Sequence, residues 1–119
     1  MSDPTSTLQT LVAALGTVFD KVYAQIAPDQ TDAPFCVYSR VSTIPGNVLD
    51  DSIPVRNMRF QVDVYAKTYA DAVSLSGQAE AAMLAVALPI SVIPISQADQ
   101  FEADVRLHRV INEFSVWHY

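Results

Sequence analysis

The side chains that could act on a substrate are few. His108 and His118 are the only imidazoles, and Cys36 the only thiol, in 119 residues. A nucleophile needs a base and an orienting group within reach, and none of the three sits in a motif that would supply them. The two histidines lie in or after the terminal strand and read as surface or edge residues. Cys36 alternates with core-facing residues and lacks a basic sequence neighbour to stabilise a thiolate, so it reads as a small buried hydrophobe. Asp50 and Asp51 could meet a hard cation. Adjacent carboxylates point apart, however, and the further oxygens that a calcium loop places at alternating positions are missing. Gly16, Gly46 and Gly77 are too scattered for a phosphate loop. The expectation is no catalytic residue, no metal and no cofactor: a chain that is not an enzyme.

Contact chemistry is better represented. In the stretch from Arg56 to Ala66, Met58, Phe60, Val62, Val64 and Ala66 point one way while Arg59, Gln61, Asp63 and Tyr65 point the other, the period of a half-buried strand. The terminal strand, within Val105 to Tyr119, repeats the pattern. Val110, Phe114 and Val116 face the core and alternate with Arg109, Ile111, Glu113, Ser115 and Trp117, with a bulge expected near Arg106. Arginines beside Tyr65, Ile111 and Trp117 have the composition of a protein interface, and a plain solvated sheet face is the alternative. The candidate interface is therefore Arg59, Gln61, Asp63 and Tyr65 on one strand with Arg109, Ile111, Glu113 and Trp117 on the other. Between Thr43 and Pro54, Pro45, Gly46, Asn47, Asp50 and Asp51 form a long turn-rich connection, either a functional arm or an ordinary surface loop.

These strands need a scaffold. Pro4 after Asp3 suits a capped helix start, and Leu8, Leu11, Val12, Leu15, Phe19, Val22 and Ile26 carry helical spacing to about Ala27, where Pro28 opens an acidic connector. A strand of about eight residues begins near Pro34. A second helix follows a cap at Thr68 and Asp71 with the stripe Ala72, Leu75, Ala79, Met83 and Val86, stopped by Pro89. Ser91 to Ser96 reads as a short edge strand around Pro94, and Gln97 to Asp104 as an acidic turn. The expected fold is α+β in two layers and one domain over 1–119. An antiparallel sheet of about four strands, in the order α-β-β-α-β-β, carries both helices on one face. The other face is left open or covered by a partner.

Half of the residues are hydrophobic, 17% are charged and mean hydropathy is +0.20, ample for one core. Thirteen acids against seven basic residues give a net charge of -6, which argues against binding DNA through its phosphates. A lone cysteine permits no intrachain disulfide and fits a reducing compartment, and the polar start of the sequence suggests a cytosolic product. The most apolar stretch, Ala79 to Ile95, is interrupted by Pro89 and Pro94 and is too short to span a bilayer as one helix.

PFCVYSRVS, the proline- and aspartate-containing loop, RFQVDVYAK running into an alanine-rich helix, and the terminal RVINEFSVW together resemble the small tail-completion, or tail-terminator, proteins of long-tailed bacteriophages. The resemblance covers nearly the whole chain. It implies a structural protein of the virion, made in the bacterial cytoplasm, that forms a ring, usually a hexamer. Such a ring caps the tail tube and meets the head connector. The implied partners are copies of the chain itself, the tail tube protein and the connector protein. DNA would pass an acidic lumen without specific binding, and no membrane is involved. A neck or head-closure protein is the nearest alternative, and a ferredoxin-like small-ligand domain a more distant one.

Overall fold

A computed structural model describes residues 4–29, 31–44, 56–86 and 90–118. Its elements are α1 (Pro4–Leu15), β1 (Val22–Ala24), β2 (Phe35–Ile44), β3 (Arg56–Ala66), α2 (Tyr69–Leu84), β4 (Ser91–Glu102) and β5 (Leu107–His118). The strands form one five-stranded sheet in the order β1-β2-β3-β5-β4. All neighbours are antiparallel except β1, which runs parallel to β2. The fold is thus α+β as expected, with five strands in a mixed sheet rather than about four antiparallel ones.

The fifth strand comes out of the expected first helix. That helix stops at Leu15, not near Ala27, because Gly16 and the β-branched and aromatic run behind it hold helix poorly. A tight turn closes the end: the amides of Val18 and Phe19 both donate to the Leu15 carbonyl, at 3.0 Å each. Phe19 still reaches the core, 4% exposed, whereas Ile26, at the end of the extrapolated stripe, is 78% exposed. Val22–Ala24 instead pairs with Cys36–Tyr38, and the strand ends at Gln25 in a left-handed conformation of φ 65°.

The second helix starts where its cap predicts. Thr68 adopts extended geometry and its hydroxyl accepts from the Asp71 amide at 3.1 Å, satisfying one orphan donor of the first turn. Ala72, Ser76, Ala79 and Met83 form its buried stripe. Small residues let the helix lie close to β3 and β5. Leu11 and Leu15 of α1 join Ala79 and Met83 of α2 in one cluster with Met58, Phe60, Val62 and Val64 of β3, so both helices cover the same face. Each fully buried side chain of the size of Phe60 contributes about 2 kcal/mol by its removal from water.

Two further expectations are corrected. Ser91–Glu102 is one 12-residue edge strand rather than a short strand and an acidic turn. The turn is confined to 103–106, and Arg106 sits in it at φ 54°. The irregularities of register fall instead between Arg40 and Ser42 and between Pro94 and Ser96. The Asp3 cap, the Pro89 stop and the arm residues Pro45, Gly46, Asn47, Asp50 and Asp51 lie outside the described residues.

Candidate assembly interface

The register of β3 against β5 decides which side chains share the face turned away from the helices. Tyr65 lies opposite Arg109, Asp63 opposite Ile111, Gln61 opposite Glu113, and Arg59 opposite Ser115, with Trp117 opposite Asn57. All eight candidate interface residues therefore stand on one face. They divide into a tied centre and an open periphery.

At the centre, Arg109 reaches diagonally across the strands to Asp63, with Nε at 3.1 Å and Nη2 at 2.5 Å from Oδ2. Its Nη1 donates to Glu102 Oε1 at 2.9 Å, and Gln61 Nε2 donates to Asp63 Oδ1 at 2.9 Å. These bonds let Asp63 be buried, 5% exposed, on a face expected to be polar. Burial works against the Arg109 charge, but the hydrogen bonds it donates to Glu102 and Asp63 outweigh it and hold the guanidinium above its ordinary pKa. The same guanidinium lies 5.7 Å from the centroid of the Tyr65 ring, which stacks on Phe35 at 4.7 Å. Burial pushes the Tyr65 phenol up, Arg109 pulls it back, and Asp63 and Glu102 add to the rise.

Toward the other end of the face the side chains open to solvent. Arg59 Nε meets Glu113 Oε1 at 3.0 Å as a half-exposed pair. Trp117 is 41% exposed, and Ile93, on the β4 position opposite Ser115, is 49% exposed. Beyond them, β4 is the edge strand of the sheet, and among the described residues its outer side pairs with no other strand.

Three features went unread in the sequence. The first is a groove of about 780 Å³ over one end of this face. Its floor is Phe35, Val37, Tyr65 and Leu107, and its walls are residues 25–29 and 31–33 of the connector and the turn after β4. No local pattern signals it, because the connector closes over the sheet only once β1 has paired. The second is a polar cluster on the helix side, buried at Asn112 and Ser76. Gln97 Nε2 donates to Asn112 Oδ1 at 2.7 Å and to Ser76 Oγ at 2.9 Å, while Asn112 Nδ2 donates to the Val62 carbonyl at 3.3 Å. Asn112 falls on the inward parity of β5, and Ser76 four residues after Ala72 falls on the buried stripe of α2. The third is His118, read from sequence as a surface or edge residue. It continues the inward parity of Val116, is 1% exposed, and among the described residues neither ring nitrogen has a hydrogen-bond partner. His108 packs against the Phe101 ring at 4.9 Å, beside Tyr69, whose hydroxyl donates to Asp99. That bond raises the Tyr69 pKa. Cys36 is fully buried, and burial first, then the Asp63 charge, pushes its thiol up to about 12.

The outer face is thus laced with ion pairs and carries exposed apolar side chains at its edge. The family model described as "Tail completion protein gp17" matches residues 4–119, and the chain belongs to that family. It is a structural component of a bacteriophage tail and of the virion. No curated protein matches it. Among solved structures it is similar to a chain of the virion of a native gene transfer agent particle. That likeness has a TM-score of 0.49 and 14% identity over 90% of this chain and 82% of the other.

Proposed function

We propose that the chain closes into an oligomeric ring, probed first as a hexamer, that caps the finished tail tube and joins it to the head connector. It does so without catalysis and without a cofactor. The observation that carries this reading is the outer face of β3 and β5, with Trp117 and Ile93 exposed beside the Arg59–Glu113 pair. An apolar group at a polar rim is the composition of an interface core awaiting its partner. A closed ring requires two different patches of each subunit to meet, and the β4 edge, which pairs with no other strand among the described residues, is the candidate second patch. The net charge of -6 suits a lumen that DNA crosses without sticking.

Light scattering over a concentration series, alone and with isolated tail tubes, tests the proposal. A ring-sized mass in either setting supports it. A protein that stays monomeric at high concentration and also fails to join tubes would sink it. The groove favours a second reading, a small-ligand site, but its buried polar groups already satisfy one another through Arg109. A thermal-shift screen of small molecules is accordingly expected to raise the melting temperature with none of them.

A further inference from the structure

The groove over the outer face combines an apolar floor with an acidic rim, and that combination selects a partner. Phe35 and Val37 are buried in the floor, while Ile26 and Val105 stand exposed on the two walls. The carboxylates lining it are Asp29, Asp32, Asp63, Glu102 and Asp104, against the cations Lys67 and Arg109. Asp63 and Glu102 are spent on Arg109. Asp29, Asp32 and Asp104 remain exposed and outside any ion pair among the described residues, as does the lining cation Lys67, while Lys21 Nζ donates to the Asp32 carbonyl at 2.9 Å and leaves its carboxylate unpaired there.

The character of the rim excludes several occupants. Phosphate backbones are repelled by it. A metal ion would need convergent ligands, and among the described residues no three carboxylate, imidazole or thiol groups come together to hold one. A second copy of this chain has little to offer. Its basic residues come within four positions of each other only at Arg56–Arg59 and Arg106–Arg109, and Arg59 is held by Glu113 while Arg109 belongs to the groove itself.

We infer that the groove receives a segment of another virion protein, in which lysine or arginine residues alternate with apolar ones. The apolar side chains would lie on Phe35, Val37 and Leu107 while the cations meet Asp29, Asp32 and Asp104. This rests on the assembly role proposed above and adds to it the chemistry of one partner. It also divides the outer face: the Trp117 end serves contacts between copies, and the groove end takes the foreign segment.

The test uses the full chain and calorimetric titration with a blocked hexapeptide alternating lysine and valine. The controls are the glutamate–valine analogue and a six-nucleotide single-stranded DNA. The lysine peptide is expected to bind, with amide shifts at Val37 and Tyr65, and to weaken as salt rises. In the D29N/D32N/D104N variant its affinity should fall about tenfold, three exposed charge pairs being lost together. The inference is overturned if the lysine peptide binds no better than the glutamate peptide, if the variant binds it as wild type does, or if the DNA binds there instead. Self-association of the same variant separates the two proposals. A variant that still forms rings but takes no peptide supports both, whereas loss of its self-association would give the groove to a second copy and overturn this one. Failure of the peptide with rings intact in wild type removes only the groove inference.

Discussion

Arg109 and Asp63 meet diagonally across β5 and β3 at 2.5 Å, and the carboxylate of this pair is almost wholly buried. Their bond makes a half-apolar outer face possible, because Asp63 could not be buried there alone. Arg109→Leu should therefore destabilise the fold by about 2 to 3 kcal/mol, mostly through the stranded carboxylate. Urea denaturation measures the loss. Replacing both partners by leucine should recover most of it, and a double variant as weak as the single one would show that the pair is not what the face depends on.

The polar cluster on the helix side ties the edge strand to the layer above it. Asn112→Ala removes the acceptor of Gln97 and Ser76 and the donor to the Val62 carbonyl, leaving the buried Ser76 hydroxyl and Val62 carbonyl without it. A loss of about 1 to 3 kcal/mol is expected. Hydrogen exchange should show the amides of β4 losing protection before those of β3. Equal protection in wild type and variant would mean that backbone pairing alone holds the edge.

The parts legible in the sequence were those with one face buried. Met58 to Ala66 alternates cleanly because each even position lies under the helices, and Thr68 with Asp71 marks the start of α2 through a local hydrogen bond. The first half of β4 was read as an edge strand, but its second half was taken for a turn because the strand is exposed on both sides along most of its length, which leaves no alternation to read. β1 is three residues long and pairs with a strand more than ten positions away, while the spacing of Phe19, Val22 and Ile26 imitates a helix. His118 and Asn112 obey the parity of their neighbours. Their polar identity pointed outward, and in the fold their position prevailed. The groove depends on the connector lying over the sheet, a tertiary event.

Burial of Cys36 gives a pH signature. Its thiol titrates at about 12 in the fold against an ordinary value of 9.0. The unfolded chain therefore releases this proton first as pH rises. The associated stability is complete below pH 9 and is lost progressively toward pH 12. Cys36→Ala should flatten the alkaline fall in stability relative to wild type, measured by urea midpoints across that range. At pH 8 a thiol reagent should label the folded protein at least about a hundredfold more slowly than the unfolded chain.

His118 sits in the core, and among the described residues both its ring nitrogens are unpartnered. The fold meets the cost of removing them from water and receives no hydrogen bond in return. His118→Leu keeps similar volume and removes that cost, so it should raise stability by about 1 kcal/mol. A destabilised variant would mean that the imidazole shape, rather than its polarity, is what the site selects.

Trp117 separates folding from assembly. It stands on the outer parity of β5, 41% exposed, opposite Asn57 and away from the cluster that both helices cover. A charge placed there meets solvent in the monomer, so Trp117→Glu should change stability by no more than about 1 kcal/mol. In a ring the same position would be desolvated, and an unpaired carboxylate inside an interface weakens association far more than an exposed one weakens folding. The variant should remain folded by circular dichroism and melt near wild type, yet fail to form rings and to complete tails in a complementation assay. Arg59→Ala is the control at the same end of the face: its half-exposed pair with Glu113 supplies little, so assembly should be only mildly slowed. A folded Trp117→Glu that completes tails normally would place the contact between copies elsewhere, and the exposed β4 edge would be the next surface to test.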